Sequence, residues 1–209
     1  MAIPSIKGTA FQSVVEDVKR LVEAGRLPEA ELETRLEAED LRLLAEKVLP
    51  GLWYPLASYA RLTELLMRVE GGGRSDYVVG RGARAAERLF AAGLYHQLSR
   101  GEEMSAEKRA ASERWSEAEA NLMTSLAGAM FNVSRWRYVG NPTDDPSTRI
   151  EVTEAEALPE VSRWAAQGFV EYTTSRLSGL TTRVTSERPA PDRIVFTLRR
   201  ARKKPPPSL

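Results

Sequence analysis

The stretch Phe131-Asn-Val-Ser-Arg-Trp-Arg-Tyr-Val139 is where the chain changes character. Its apolar residues are aromatic or β-branched and alternate with polar ones, which predicts a strand. The residues that follow extend the pattern. Gly140 to Ser147 (GNPTDDPS) is a turn by composition, and Arg149 to Val152 is a second short strand. Leu158 to Leu177 is a helix with Val161, Trp164, Ala165, Phe169, Tyr172 and Leu177 on its inner side and Gly179 as its stop. Leu180–Ser186 and Arg193–Leu198 alternate again. Joined through Glu187–Asp192, they read as an antiparallel hairpin. The order here is β-β-α-β-β.

Upstream the period is helical. Phe11, Val14, Val15, Val18, Leu21 and Val22 mark one face of a helix over Thr9–Ala24, which Gly25 is placed to end. Pro28 opens a short second helix. Asp40 is placed to cap a third, with Leu41, Leu44 and Val48 inward. Leu52-Trp53-Tyr54-Pro55 is an aromatic corner, and Leu56 to Val69 returns to helical spacing until Gly71-Gly72-Gly73. Ser75 or Asp76 caps the next helix, expected to run to about Leu98. Gly80 and Gly82 in its first turns weaken it unless another backbone comes close. Ser105 to about Ala129 is a further helical segment. Helices first and strands afterwards indicate an α+β fold, with a helical N-terminal two thirds packed on a small antiparallel sheet. The expectation is a single domain over 1–198 and a disordered basic, Pro-rich tail over 199–209.

Composition removes whole classes of chemistry. The 209 residues carry 30 Lys and Arg against 29 Asp and Glu, a net charge of +1, which argues against a dedicated nucleic-acid binder. There is no Cys, hence no disulfide framework, thiolate nucleophile or cysteine metal site. The single His, His96, supports neither a multi-histidine metal centre nor a triad with histidines to spare. No constellation of carboxylates points to catalysis, and the reading is non-enzymatic. Nothing at the N-terminus reads as an export signal, and cytoplasm is the simple expectation.

The candidate ligand-pocket residues are Trp53, Tyr54, Tyr59, His96 and Trp136. The first three either line a pocket or anchor helix packing at the proline corner, and packing is the plainer choice. His96 is a candidate axial ligand or proton carrier, or simply a residue near a helix end. The glycines around Arg74 and Arg81 lack the Gly-Lys-Ser/Thr ending of a phosphate loop, although a helix start with Arg81 and Arg84 would suit an anion. Leu122, Leu126, Met130, Phe131 and Val133 form the candidate dimer face, because the first strand has mixed character on both faces, with Phe131, Val133 and Val139 sharing a face with Arg135 and Arg137, as an edge or seam does. Five cations sit within the six positions Arg199–Lys204, a candidate contact for an anionic surface or an acidic partner, or a solubilising end.

Lys7-Gly8 with Phe11, the Trp53-Tyr54-Pro55 corner with Tyr59, and Gly80-Arg81 before an alanine-rich helix together resemble a paralogous family of unknown function restricted to myxobacteria. The C-terminal order is similar to a wider superfamily holding 4-vinyl reductase domains, haem nitric-oxide-binding domains and TRAPP vesicle-tethering subunits. The resemblance spans roughly residues 5 to 198. It implies an α/β sensor-like domain, often a homodimer, with a pocket between helices and sheet, and no catalytic residues. Haem nitric-oxide sensors use a proximal His and a Tyr-x-Ser-x-Arg motif for the haem propionates. Here Tyr172-Thr-Thr-Ser-Arg176 has Thr174 where the central Ser belongs. The expectation is therefore a regulatory or protein-interaction domain sensing a small hydrophobic ligand, with no cofactor. A haem- or tetrapyrrole-binding sensor is the alternative, and an enzyme the last.

Overall fold

Residues 3–92, 117–140 and 147–200 are described in the structure, a computed structural model. The order is β1 (Ser5–Lys7), α1 (Gly8–Glu23), α2 (Glu29–Arg35), α3 (Ala38–Ala45), β2 (Trp53–Pro55), α4 (Leu56–Val69), α5 (Ser75–Ala91), α6 (Glu117–Gly128), β3 (Arg135–Val139), β4 (Thr148–Thr153), α7 (Glu160–Ser178), β5 (Thr182–Ala190) and β6 (Arg193–Arg200). The fold is α+β, with an antiparallel four-stranded sheet ordered β3-β4-β6-β5. His96, the expected end of its helix, the start of the next at Ser105, the GNPTDDPS turn beyond Gly140 and the tail after Arg200 lie outside the described residues, Ser147 of the turn apart.

The helical spacing of α1 places Phe11, Val14, Val15, Val18 and Leu21 in the core. Its end is a Schellman arrangement: Arg26 N–H donates to Leu21 O and Gly25 N–H to Val22 O, both at 2.9 Å. Gly25, at φ +66°, takes the left-handed turn this requires. The third helix starts earlier than expected. Glu37 occupies the cap position, and Asp40 lies inside the first turn, where it accepts the Glu37 N–H at 3.0 Å. A residue there can reach back to the cap backbone and still face the protein interior, and Asp40 is fully buried.

The aromatic corner is a strand. Trp53–Pro55 pairs antiparallel with Ser5–Lys7 as a two-stranded ribbon. This ribbon also reaches the end of α6: Lys7 N–H donates to Met130 O at 3.0 Å, Asn132 N–H to Ser5 O at 3.2 Å, and Phe131 bridges to Ile6. The strand expected from Phe131 therefore begins in the main sheet only at Arg135, because the backbone of residues 130–132 is already occupied by β1. The hairpin is tighter than expected. Its strands extend to Ala190 and Arg193, leaving only Pro191 and Asp192 as the turn. It is also longer at its other end, where Arg199 pairs with Arg183 and Arg200 with Thr182. These two residues belong to the sheet, not to a tail, since the ladder continues as far as β5 has partners.

Helix α7 packs along α5 and over the sheet. Two glycines set the α5–α7 distance. A Cβ on Gly82 would overlap the Ala165 carbonyl, and one on Gly168 would overlap the Val79 carbonyl. The close approach that excused a glycine in α5 is thus real at Gly82. Gly80 faces only the Arg84 side chain, at 3.5 Å.

Candidate functional site: a cavity between the helices and the sheet

Where α1, α4 and α5 meet α6, β3 and α7, packing leaves a cavity of about 100 Å³. Ile6 and Ala10 line it from the N-terminal elements, Val78, Ala85 and Leu89 from α5, Met130, Phe131 and Trp136 from around α6 and β3, and Ala165 and Phe169 from α7. Trp136 is held by stacking on Phe196 of the sheet at 5.4 Å between ring centroids, and on Phe131 at 6.4 Å. Its Nε1–H donates to Ser134 Oγ at 3.0 Å. The indole thus presents an apolar face to the cavity with its polar atom satisfied elsewhere.

The polar part of the wall is concentrated at one end. Arg81 is buried and pairs with Asp17 on α1, while its second terminal nitrogen donates to Ser13 O at 3.4 Å. Burial alone lowers the affinity of Arg81 for its proton, but the Asp17 charge and hydrogen bond outweigh it and hold the guanidinium more firmly charged. Burial likewise raises the Asp17 carboxyl, and Arg81 and Arg20 together pull it below the ordinary carboxylate range. Tyr59 is buried beside them, and burial pushes its phenol above the ordinary range, with Arg81 and Thr63 acting in the opposite direction. Thr63 Oγ1 is buried with no hydrogen-bond partner. The Thr63 and Tyr59 hydroxyls are neighbours without meeting hydrogen-bond geometry. Arg88, exposed, marks the side of the cavity nearest solvent.

The structure brings two of the five candidate pocket residues, Tyr59 and Trp136, to this cavity. Trp53 is 44% exposed on the β1–β2 ribbon, with Lys7 Nζ 4.2 Å above its ring centre, and does not reach the cavity. It is neither a pocket residue nor a buried anchor, because pairing with β1 directs its side chain outward. Tyr54 is half-buried, stacked on Phe11 at 4.7 Å, and its hydroxyl accepts the Leu49 N–H at 2.8 Å. It packs, as a corner residue does. His96 lies outside the described residues.

The candidate dimer face is also redistributed. Met130 and Phe131 turn toward the cavity of their own chain, drawn there by the β1 hydrogen bonds. Leu126 and Val133 are half-buried against the core, and the Leu122 side chain lies outside the described residues. Arg81, a candidate anion holder with Arg84, is turned inward and already neutralised by Asp17. Thr63 and Gly82 line the site, and Gly168 sets the α5–α7 distance beside it, and none of the three was named as a pocket residue. The one signal for Thr63 was a polar residue set among Leu62, Leu65 and Leu66.

The residues described do not fit a haem. The cavity is well below the 300 Å³ or so at which pockets for sizeable ligands begin. The glycine contacts join α5 and α7 backbone to backbone, leaving no slot between them. Tyr172, Thr174 and Arg176 lie on α7, where successive residues turn about 100°, so Thr174 faces away from the other two. Its hydroxyl is spent on Val170 O at 2.6 Å, and Arg176 is exposed. Among the described residues no three His, Cys, Asp or Glu side chains are grouped to hold a metal, and no helix is long and apolar enough to cross a membrane.

No sequence-family model matches this chain, and no curated protein matches it. Solved structures do. The H-NOX protein from K. algicida, in its Fe(II) unliganded form, superposes with a TM-score of 0.57 at 13% identity, covering 95% of this chain and 98% of that one. An alanine-to-glycine variant of it gives 0.58 at 12% identity, over 94% and 97% of the two chains. An isoleucine-to-phenylalanine variant of T. tengcongensis H-NOX gives 0.53 at 10% identity, over 94% and 98%. The likeness runs through both the helical part and the sheet, and the chain has the fold of the H-NOX proteins.

Proposed function

We propose that this chain is a non-enzymatic regulatory domain that responds to a small, largely apolar molecule held between its helices and its sheet. The cavity carries this reading. Its walls come from both halves of the chain, from α1, α4 and α5 on one side and α6, β3 and α7 on the other. A molecule lodged there touches both, so its binding free energy favours one arrangement of helices against sheet, which is how a ligand biases a switch. An engineered apolar cavity of about 150 Å³ takes benzene or xenon, so about 100 Å³ suits xenon or an organic molecule smaller than benzene. The test is a thermal melt under xenon, with native mass spectrometry of the purified protein to find a co-purifying ligand. Wild type should gain stability with the probe, and Ala127→Leu, which fills the cavity from a buried lining position, should lose that gain. No gain in wild type would overturn the reading.

The fold likeness favours a second reading, a haem-binding sensor. The cavity size and the scatter of Tyr172, Thr174 and Arg176 stand against it. Adding haem and looking for a Soret band that His96→Ala abolishes decides the matter. A homodimer and a contact with an anionic surface through the C-terminal cations belong to the same proposal. Light scattering, and vesicle binding in low and high salt, test them.

A further inference from the structure

We propose that the cavity takes a small neutral molecule with an apolar body and one hydrogen-bonding oxygen, the size of a three-carbon alcohol or ketone, with its oxygen at Thr63. This rests on the cavity being a ligand site and adds the chemical class of the ligand. Within a helix, a threonine ordinarily returns its hydroxyl to a carbonyl one turn back. Thr34 does so to Ala30 O at 3.0 Å, and Thr174 to Val170 O at 2.6 Å. Thr63, on α4 and 1% exposed, does not. Ser162 and Thr173 are the other buried side chains without a partner among the described residues, and neither lines the cavity. A buried hydroxyl left unpaired is unfavourable, and a guest oxygen beside it restores the missing bond.

Charge sets the second requirement. Among the described residues the one buried charged side chain in the wall, Arg81, is already neutralised by Asp17 and hydrogen-bonded to Ser13 O. An ionic group on the guest would be desolvated with no free counter-charge, so the guest is neutral. Size sets the third, since about 100 Å³ scales to about four heavy atoms by comparison with the cavity of about 150 Å³ that holds benzene. The apolar body then lies against Trp136, Phe169 and Leu89.

The full chain is titrated with propan-2-ol, acetone and isobutane, following binding by NMR. The same titrations are run on Thr63→Val and Thr63→Ser, each first shown to melt cooperatively. Thr63→Val should weaken propan-2-ol and acetone about tenfold, the worth of one hydrogen bond, and leave isobutane unchanged or tighter. Thr63→Ser should keep the wild-type pattern. If isobutane binds but Thr63→Val shifts all three probes alike, Thr63 is satisfied by the neighbouring Tyr59 hydroxyl, by a trapped water or not at all, and this inference falls while the cavity reading stands. If no probe binds folded wild type, the cavity reading falls as well.

Discussion

Arg61 grips Asp40 from the neighbouring helix with two hydrogen bonds, Nε to Oδ2 at 2.6 Å and Nη2 to Oδ1 at 2.8 Å. The carboxylate is fully buried, and the same group accepts the Glu37 N–H at the start of α3. One side chain thus both begins α3 and ties it to α4. Burial pushes the Asp40 carboxyl up, but the bonds from Arg61, Ser58 and the Glu37 backbone, with the Arg61 charge, hold it below the ordinary range.

Asp40→Ala should therefore cost about 3 kcal/mol in urea unfolding, the scale for breaking a buried pair, and Asp40→Asn less. Because the folded carboxyl has the lower pKa, its contribution is complete above the unfolded value near pH 4 and is lost as pH falls through the folded one. The stability gap between wild type and Asp40→Asn should be level near neutrality and narrow below about pH 4. A gap unchanged into strong acid would count against the pair.

Gly82→Ala and Gly168→Ala should each destabilise by about 1–3 kcal/mol, as overpacking does, because each new methyl meets a carbonyl of the facing helix. Gly80→Ala, in the same helix with only the Arg84 side chain near, at an ordinary contact distance of 3.5 Å, should stabilise by up to about 1 kcal/mol. Calorimetric melting of the three variants checks the contrast. Equal effects at Gly80 and Gly82 would mean helix propensity alone is being measured.

Trp53→Ala should change stability by less than about 1 kcal/mol, since the ring is half in solvent and its cation–π contact with Lys7 is exposed. Phe11→Ala should cost about 3–5 kcal/mol, because Phe11 is wholly buried and stacks on Tyr54. Denaturant midpoints measure both.

A chain ending at Leu198 should melt several degrees below one ending at Arg200. It loses the ladder partners of Arg183 and Thr182, and Thr182 is 1% exposed in the intact hairpin. Identical melting of the two would mean that these last pairs contribute nothing.

Regular periodicity made much of this fold legible. Phe11 to Leu21 and Leu56 to Val69 read as helices because each buries one continuous stripe, and Ile194, Phe196 and Leu198 read as a strand because they alternate over the core. The β1–β2 ribbon was not legible. Each strand has three residues, too few for alternation, and the pairing depends on chain that arrives much later. Asp40 looked like a cap because its burial is decided by Arg61, on another helix. Gly82 raised a query through its helix-weakening effect, whereas Gly168 did not stand out, since only the arrival of Val79 makes its missing side chain necessary. The cavity was legible through Tyr59 and Trp136 alone. A void is defined by what several elements jointly fail to fill, and no local pattern records that.

The hydrogen bonds between the N-terminal strand and residues 130–132 also order events during synthesis. Ser5 N–H donates to Asn132 Oδ1 at 2.7 Å, across 127 positions of sequence. As the chain leaves the ribosome, β1 can pair with β2 early, but Ser5 and Lys7 wait for these later partners. At 5–20 residues per second that delay is on the order of ten seconds. Throughout it Ile6 and the cavity face of α1 stand open, a natural moment for a chaperone to hold the nascent chain. The wall supplied by Met130 and Trp136 is added late and that from Ala165 and Phe169 on α7 last, so the cavity is a property only of a chain grown past α7, and shorter translation products would expose its lining.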